Sequence, residues 1–266
     1  KNVAVSNSNA SAGAAILAVE SEDLGGNSYW SFTSVIVPGE TITWTGGAST
    51  DWGNGDNWDL GRTPVDTDAI VISTAANHPT LGSGTYLFNS LTVQSGAALT
   101  MSGCETTVTN MLACAGALVF SGSEKLHLKH AADFTGGSVT AANSIVLIDG
   151  EGSQAIDFGN CVFNKVTVRK SSGSVEFVNH GFTAGTFRCT VTNALSFAFA
   201  AGQTFTFPQC YLNGGATNRY LSLDSTSSGS KWYLKLNENT QGMSGVKVTD
   251  CDAASGATAY AGATGE

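Results

Sequence analysis

From Thr41 almost to the C-terminus the chain alternates apolar and polar residues in short runs, and each run is closed by Gly, Ser, Asn or Asp. Period-two alternation sends every second side chain to the same side, so each run reads as a strand with one face against a core. The clearest are Ala69 to Ser73, Tyr86 to Val93, Ala117 to Phe120, Ser144 to Asp149, Val162 to Val168, Ser174 to Val178, Gln203 to Phe207, Tyr220 to Asp224 and Trp232 to Leu236. The turn residues between them are the types that tight reversals require. Only Ala10 to Ala18, rich in alanine, offers a helical stripe longer than about two turns. The runs also rhyme: Phe88 to Val93 is FNSLTV, Phe163 to Val168 is FNKVTV, and Phe187 to Val191 is a weaker echo, FRCTV. Strand, turn and strand repeated without helices predict coils of a β-solenoid in which each rung covers the apolar face of the last. Regularly spaced strands also fit a β-sandwich, which stands as the alternative. In a solenoid Leu91 and Val93 point inward with Val166 and Val168 stacked on a later rung, and the phenylalanines fall at corners or under loops.

A second repeat joins the two ends. A constant offset of 243 positions aligns Val3 with Val246, Val5 with Val248, Ala10 with Ala253, Gly13 with Gly256, Ala14 with Ala257 and Ala18 with Ala261. Ser6/Thr249, Asn7/Asp250 and Asn9/Asp252 are like-for-like exchanges between them. Compositional bias toward Ala and Gly is the competing explanation. As a true repeat, it reads as one period of an array in which units follow one another, with Val3, Val5, Ile16, Val246, Val248 and Tyr260 at the junction. The uncapped ends of a solenoid need a cover or become interfaces, and the terminal repeat suits the second role.

Composition narrows the class. With 12% charged residues and 42% hydrophobic residues including 13 Phe, 6 Tyr and 5 Trp, the chain has enough apolar side chain to build a core and is not disordered. Its net charge of −9 and the absence of any basic run exclude nucleic acid as an expected partner. No apolar segment reaches the length of a membrane span, and the start at Lys1 without Met or signal sequence reads as a mature or excised product. Cys104, Cys114, Cys161, Cys189, Cys210 and Cys251 form no CxxC pair; disulfides in an oxidising compartment and buried thiols in a β core are both open.

Residues 42–72, ITWTGGASTDWGNGDNWDLGRTPVDTDAIVI, carry three of the five tryptophans. Trp44, Trp52 and Trp58 admit two readings: exposed rings that stack on sugars, with neighbouring acids bonding hydroxyls, or a cover over the first open rung. The cover is favoured. Asp51, Asn54, Asp56 and Asp59, with Asn57, make an oxygen-rich loop in which calcium is the one cofactor suggested, although the spacing lacks a closing Glu. The pattern Trp44, Gly46, Asp51, Trp52, Asn57, Trp58, Gly61, Pro64, Asp68 and Ile70 resembles a signature of large repetitive secreted or cell-surface bacterial proteins, filamentous-adhesin-like, in which it introduces a run of rungs. That resemblance implies an all-β, right-handed parallel β-helix with an N-terminal Trp-rich cap, located outside the cell, and no defined catalysis. Those proteins are usually poor in cysteine, and this chain departs from them there.

A search for a catalyst finds acids that fall singly along the rungs: Glu105, Glu124, Asp133, Asp149, Glu151, Asp157, Glu176 and Asp224, with Asp149 and Glu151 the only near pair. In EKLHLKH, Lys125, His127 and Lys129 share one face and His130 lies on the other, which reads as a solvated rung face. His78 and His180 sit in turns. The expected organisation is an N-terminal segment (1–40) repeating the C-terminal element, a Trp/Asp-rich cap or first rungs (41–84), solenoid rungs (85–244), and a C-terminal rung homologous to 3–18 (245–266). The expected role is a non-enzymatic extracellular unit that assembles head to tail with copies of itself, without membrane insertion. The alternative is a carbohydrate-binding or adhesive module with extracellular polysaccharide as partner.

Overall fold

The computed structural model describes residues 3–19, 21–33, 39–190, 193–214, 220–236, 241–257 and 261–262. The chain divides into two units, residues 1–38 and 39–266.

The larger unit is a parallel β-solenoid of about eight turns, and the sandwich alternative is excluded because every strand pair among the described residues is parallel. The first face stacks Thr41–Trp44, Ala69–Ile72, Ser90–Val93, Met111–Cys114, Ala131–Asp133, Gln154–Asp157, Ser174–Phe177, Leu195–Phe199, Leu221–Ser225 and Val246–Val248. The second begins with Thr80–Leu81, Ala98–Met101, Ala117–Phe120 and Ser138–Thr140. The third stacks Gly84–Phe88, Cys104–Val108, Lys125–Leu128, Ile145–Ile148, Val162–Val168, Thr183–Thr190, Gln209–Asn213 and Gln241–Ser244. Thr183–Thr190 bends across a corner: Thr183 pairs with Thr206 and Phe187 with Cys210, so one strand serves two faces.

Alternation drives this arrangement as the sequence predicts. On the first face Ile42, Ile70, Leu91, Leu112 and Ile156 sit in one buried inward column. Burial of each such aliphatic side chain contributes about 1.5–3 kcal/mol. Two details of the rung assignment differ from expectation. Tyr86 to Val93 is not one strand: Gly84–Phe88 belongs to the third face and Ser90–Val93 to the first, with the corner at Asn89. Leu91 and Val93 do point inward, but they stack on Leu112 and Cys114, whereas Val166 and Val168 lie on the third face beside Val146 and Ile148. The rhyme between FNSLTV and FNKVTV therefore joins non-equivalent parts of two coils. The alanine-rich stretch is not helical, since Ile16–Val19 is a strand.

The interior changes along the stack. Aliphatic side chains dominate the early coils; from Phe134 onward aromatic rings take over, with centroid distances of 4.5 Å for Phe158–Phe163, 4.4 Å for Phe187–Phe207 and 4.2 Å for Phe199–Trp232. These phenylalanines fill the core instead of lying at corners. Coil is also tied to coil by buried polar groups. Lys170 Nζ donates to Gly150 O and Gln154 Oε1, both at 2.6 Å, and Gln154 Nε2 donates to the Leu128 and His130 carbonyls. Burial lowers the pKa of Lys170 from its usual value. Gly150 itself lies so close to the Lys129 carbonyl that a Cβ would overlap it.

The smaller unit is also built from parallel pairs. Ala4–Val5 pairs with Glu22–Asp23, Asn9 bridges Ser28, and Ile16–Val19 pairs with Trp30–Thr33, so residues 3–19 and 22–33 form two stacked coils. Asn27 bolts them together, donating to Val5 O and Asp23 Oδ1 and accepting from the Ser8 amide at 2.9 Å.

Candidate functional site

The tryptophan segment folds onto the start of the large solenoid. Trp44 is the inward-facing last residue of its strand, and Trp52 and Trp58 follow in the loop around the short 3-10 turn Gly55–Asn57. Their rings meet edge to face, 5.0 Å for Trp44–Trp58 and 4.7 Å for Trp52–Trp58, and are 0%, 7% and 3% exposed in the order Trp44, Trp52, Trp58. Trp44 Nε1 donates to the Asn77 carbonyl at 2.7 Å and Trp58 Nε1 to the Trp52 carbonyl at 3.1 Å. Of the two readings the sequence offered, the less favoured one, open faces for sugars, is corrected: the faces are spent on one another because apolar rings at this position complete the core. Asp68, part of the same signature, is buried in a two-pronged pair with Arg62, which also meets Glu40 at 3.0 Å. Burial opposes ionisation of Asp68, but the Arg62 guanidinium and the Val65 amide outweigh it and hold its carboxyl below the usual range.

The oxygen-rich loop is organised by backbone capping. Asp51 Oδ1 accepts from the Gly53 amide, Asn54 Oδ1 from the Asp56 amide and Asp59 Oδ1 from the Thr43 amide, each near 3 Å. Asn57, fully buried, accepts from the Ala48 and Ser49 amides. Among the described residues no three His, Cys, Asp or Glu side chains group as a metal centre.

All six cysteines are free, which corrects the disulfide expectation. Five are buried, and the register explains why they do not pair: Cys114 lies beside Val93, Cys189 between Val168 and Leu212, and Cys210 beside Phe187. They serve as small apolar core residues. Burial pushes the thiols of Cys114, Cys189 and Cys210 up to about 12 and those of Cys161 and Cys251 to about 11.

The EKLHLKH strand presents Lys125 and His127 outward as expected, while His130 lies past the end of Lys125–Leu128 and is exposed. His127 spans three coils, with Nε2 3.0 Å from Glu105 Oε1 and Nδ1 2.7 Å from Asp149 Oδ2. Lys125 pairs with Glu105 at 2.9 Å and Lys129 with Asp149 at 3.0 Å. The bond from Lys125 holds the Glu105 carboxyl below its usual range.

The end coils carry the most specific correspondence. Under the 243-residue offset, Ala4–Val5 maps onto the strand Val246–Val248, the Asn9 bridge onto Cys251–Asp252, and Ala18–Val19, the end of the strand Ile16–Val19, onto the strand Ala261–Gly262. Asn7 and Asp250, an aligned pair, both adopt the left-handed backbone, with φ of 49° and 54°. Few residues other than glycine take that conformation. Asn9 Oδ1 accepts from the Ser11 amide at 2.9 Å, and its counterpart Asp252 Oδ1 accepts from the Ala254 amide at 3.0 Å. Both features recur at other turns, as at Asn160 and between Asp51 and Gly53, and here they coincide at aligned positions.

The neighbours of the two coils are complementary. Coil 3–19 is paired on its C-terminal side by 22–33, and among the described residues no strand pairs with its other edge. Coil 246–262 is paired by Leu221–Ser225, Trp232–Lys235 and Gln241–Ser244, and among the described residues nothing pairs with its far edge. Val3, Ile16 and Val248 are 53%, 40% and 50% exposed, Val5 and Val246 are half-buried, and Tyr260 lies outside the described residues.

A family model described as a domain of unknown function (DUF8693) matches residues 43–126, which take in the tryptophan cluster and the coils up to Lys125–Leu128. Comparisons with curated proteins and with solved structures give no match.

Proposed function

We propose that this protein is a non-catalytic structural unit of an extracellular array that extends end to end, the coil 246–262 of one unit being continued as 3–19 is continued by 22–33. The carrying observation is the matched geometry at Asn7/Asp250 and Asn9/Asp252 in those two coils, each of which has, among the described residues, the neighbour that the other lacks. An unpaired solenoid edge presents a row of backbone donors and acceptors that another strand of matching register can satisfy. The extracellular placement rests on the composition and on the resemblance of the tryptophan signature to large surface proteins.

The test is a graft. Gly262 is the counterpart of Val19, so residues 20–33 placed directly after Gly262 reproduce the native continuation of the first coil. New inter-coil hydrogen bonds contribute about 1 kcal/mol each, but ordering each residue costs about 1–2 kcal/mol, so global stability is a poor readout. Amide exchange reads the junction directly. The Asp250 and Ala253 amides, counterparts of the Asn7 and Ala10 amides that donate to Gly25 O and Ser28 O, are expected to gain protection in the graft, and a scrambled 14-residue tail is expected to give none. Equal exchange in graft and scramble refutes the continuation.

A further inference from the structure

The outward side of the third face holds three cationic side chains without an ion-pair partner among the described residues. Outward residues run in register along the stack: Lys125, Ile145 and Lys165 in one column, and His127, Leu147, Thr167, Arg188, Tyr211 and Gly242 in the next. They line a cleft of about 490 Å³ over Glu105 to Thr190, and a second hollow shares Arg188 and Thr190 and reaches Tyr211 and Asn213. Four of the 12 Lys and Arg residues of this net −9 chain, Lys125, Lys165, Arg169 and Arg188, line the first cleft. Lys125 is answered by Glu105. The side chains of Lys165, Arg169 and Arg188 make no ion pair or hydrogen bond within the described residues. At the base of the cleft Thr167 is 7% exposed, and its Oγ1 is buried without a hydrogen-bond partner. A buried hydroxyl without a partner is uncommon.

We propose that this groove binds a linear acidic polysaccharide, its carboxylate or sulfate groups held by Lys165, Arg169 and Arg188. Three features favour a sugar over another polyanion. Successive coils are about 4.8 Å apart, close to the rise of one pyranose residue, so a glycan along the stack meets one side chain per coil for each sugar. Half-buried Ile145 offers apolar surface to ring C–H groups, with the exposed Thr190 close by for hydroxyls. Tyr211 gives the second hollow an aromatic ring, and its neighbour Gly242 leaves that ring's flank open, since a Cβ there would press on Tyr211 Cδ1 at 3.2 Å. The cations of the groove, Lys165, Arg169 and Arg188, are not residues of the end coils, so its test does not depend on assembly.

Affinity electrophoresis and titration calorimetry on the whole chain use polygalacturonate and alginate as carboxylated probes, chondroitin sulfate as the sulfated probe, and dextran and polyglutamate as controls. Binding is expected to at least one acidic glycan, to weaken as NaCl rises from about 0.05 to 0.5 M, and to be absent for dextran and polyglutamate. The exposed triple variant Lys165→Gln/Arg169→Gln/Arg188→Gln is expected to weaken binding about tenfold or more, and Tyr211→Ala to weaken it independently. Lys231→Gln removes a distant exposed charge and is expected to change nothing. No binding to any acidic glycan, equal binding of polyglutamate, or undiminished binding by a folded triple variant each overturns the proposal; preference between the carboxylated and sulfated probes identifies the anionic group.

Discussion

Glu124 was visible in the sequence only as an isolated turn acid, yet it fastens one coil to the next. Its side chain is buried; Oε1 accepts from the Gly103 amide at 2.9 Å and from Ser121 Oγ at 3.2 Å, while Oε2 accepts from the Gly122 amide at 2.8 Å. Glu124→Gln preserves shape and removes one acceptor. If the amide oxygen keeps Gly103 and Ser121, the new NH₂ faces the Gly122 N–H, and the flipped amide leaves Gly103 opposed instead. A buried unsatisfied donor costs about 1–3 kcal/mol, and bonds to charged acceptors contribute about 1.5–3 kcal/mol, so the expected loss is about 2–4 kcal/mol. In a chain of this size that corresponds to a melting temperature lower by roughly 10 °C. Urea unfolding followed by circular dichroism measures the loss, and amide exchange at Gly103 and Gly122 locates it. The pH dependence supplies an independent check. Burial opposes ionisation of Glu124, but the Gly103 and Gly122 amides prevail and hold its carboxyl below the usual range. A depressed folded pKa contributes stability above the unfolded value, near 4.3, and that contribution is lost as pH falls through the folded value. The gap between wild type and variant must therefore narrow as pH drops from about 5 toward 3. A variant within about 0.5 kcal/mol of wild type at pH 7, or a gap that does not change with pH, refutes the clamp.

The same reasoning reaches other groups. Asp68 and Asp157 are buried carboxylates held below their usual range, so acid should unfold wild type below about pH 4, and Asp157→Asn, weaker at pH 7, should show a flatter acid limb in a pH titration of stability. Native protein should resist a disulfide-exchange thiol reagent at pH 8 at Cys114, Cys189 and Cys210, whereas unfolded, unreduced protein should titrate all six thiols; fewer than six would reveal a disulfide. Gly150→Ala should leave the chain insoluble or cost more than about 4 kcal/mol, since the Lys129 carbonyl occupies the methyl's place, whereas Gly82→Ala, which meets open space, should stay within about 0.5 kcal/mol in the same denaturation assay.

The class of fold was legible because alternation and turn residues are local signals: Ala117 to Phe120 and Val162 to Val168 are strands with the predicted bounds. The division of strands among faces was not. A corner such as Asn89 interrupts no hydrophobic pattern, so two strands read as one, and a shared phrase was mistaken for a shared position. Side-chain partners were hidden for a different reason. Glu124 meets Gly103, Asp157 meets Asn179 and His127 meets Asp149, each across a coil of 21 or 22 residues. The 20-residue steps from Lys125 to Ile145 to Lys165 show that the coil period, once known, would have gathered the cations of the groove into columns. The terminal repeat was legible from residue identity, and the left-handed backbone shared by Asn7 and Asp250 supplies a reason for the like-for-like exchange at that position.

A solenoid separates its surfaces by chemistry. Its ends expose unpaired backbone, which recognises another strand of the same register and little else, while its faces expose columns of side chains whose identity is free to vary once the inward residues are satisfied. In this chain the outward columns of the third face concentrate unpaired cations although the whole is acidic, and the end coils repeat one another. The two proposals therefore draw on different atoms and can fail separately. If both hold they reinforce each other, because an array presents the groove once per unit, and a long polyanion that engages several units gains avidity by about 10²–10⁴ over a single site when the spacing lets it reach them together. Three exposed cations, each contributing about 0.2–1 kcal/mol, bind weakly in one unit and firmly only in many. A groove this sparse makes physical sense on a repeating surface, where affinity comes from repetition and each site remains free to exchange.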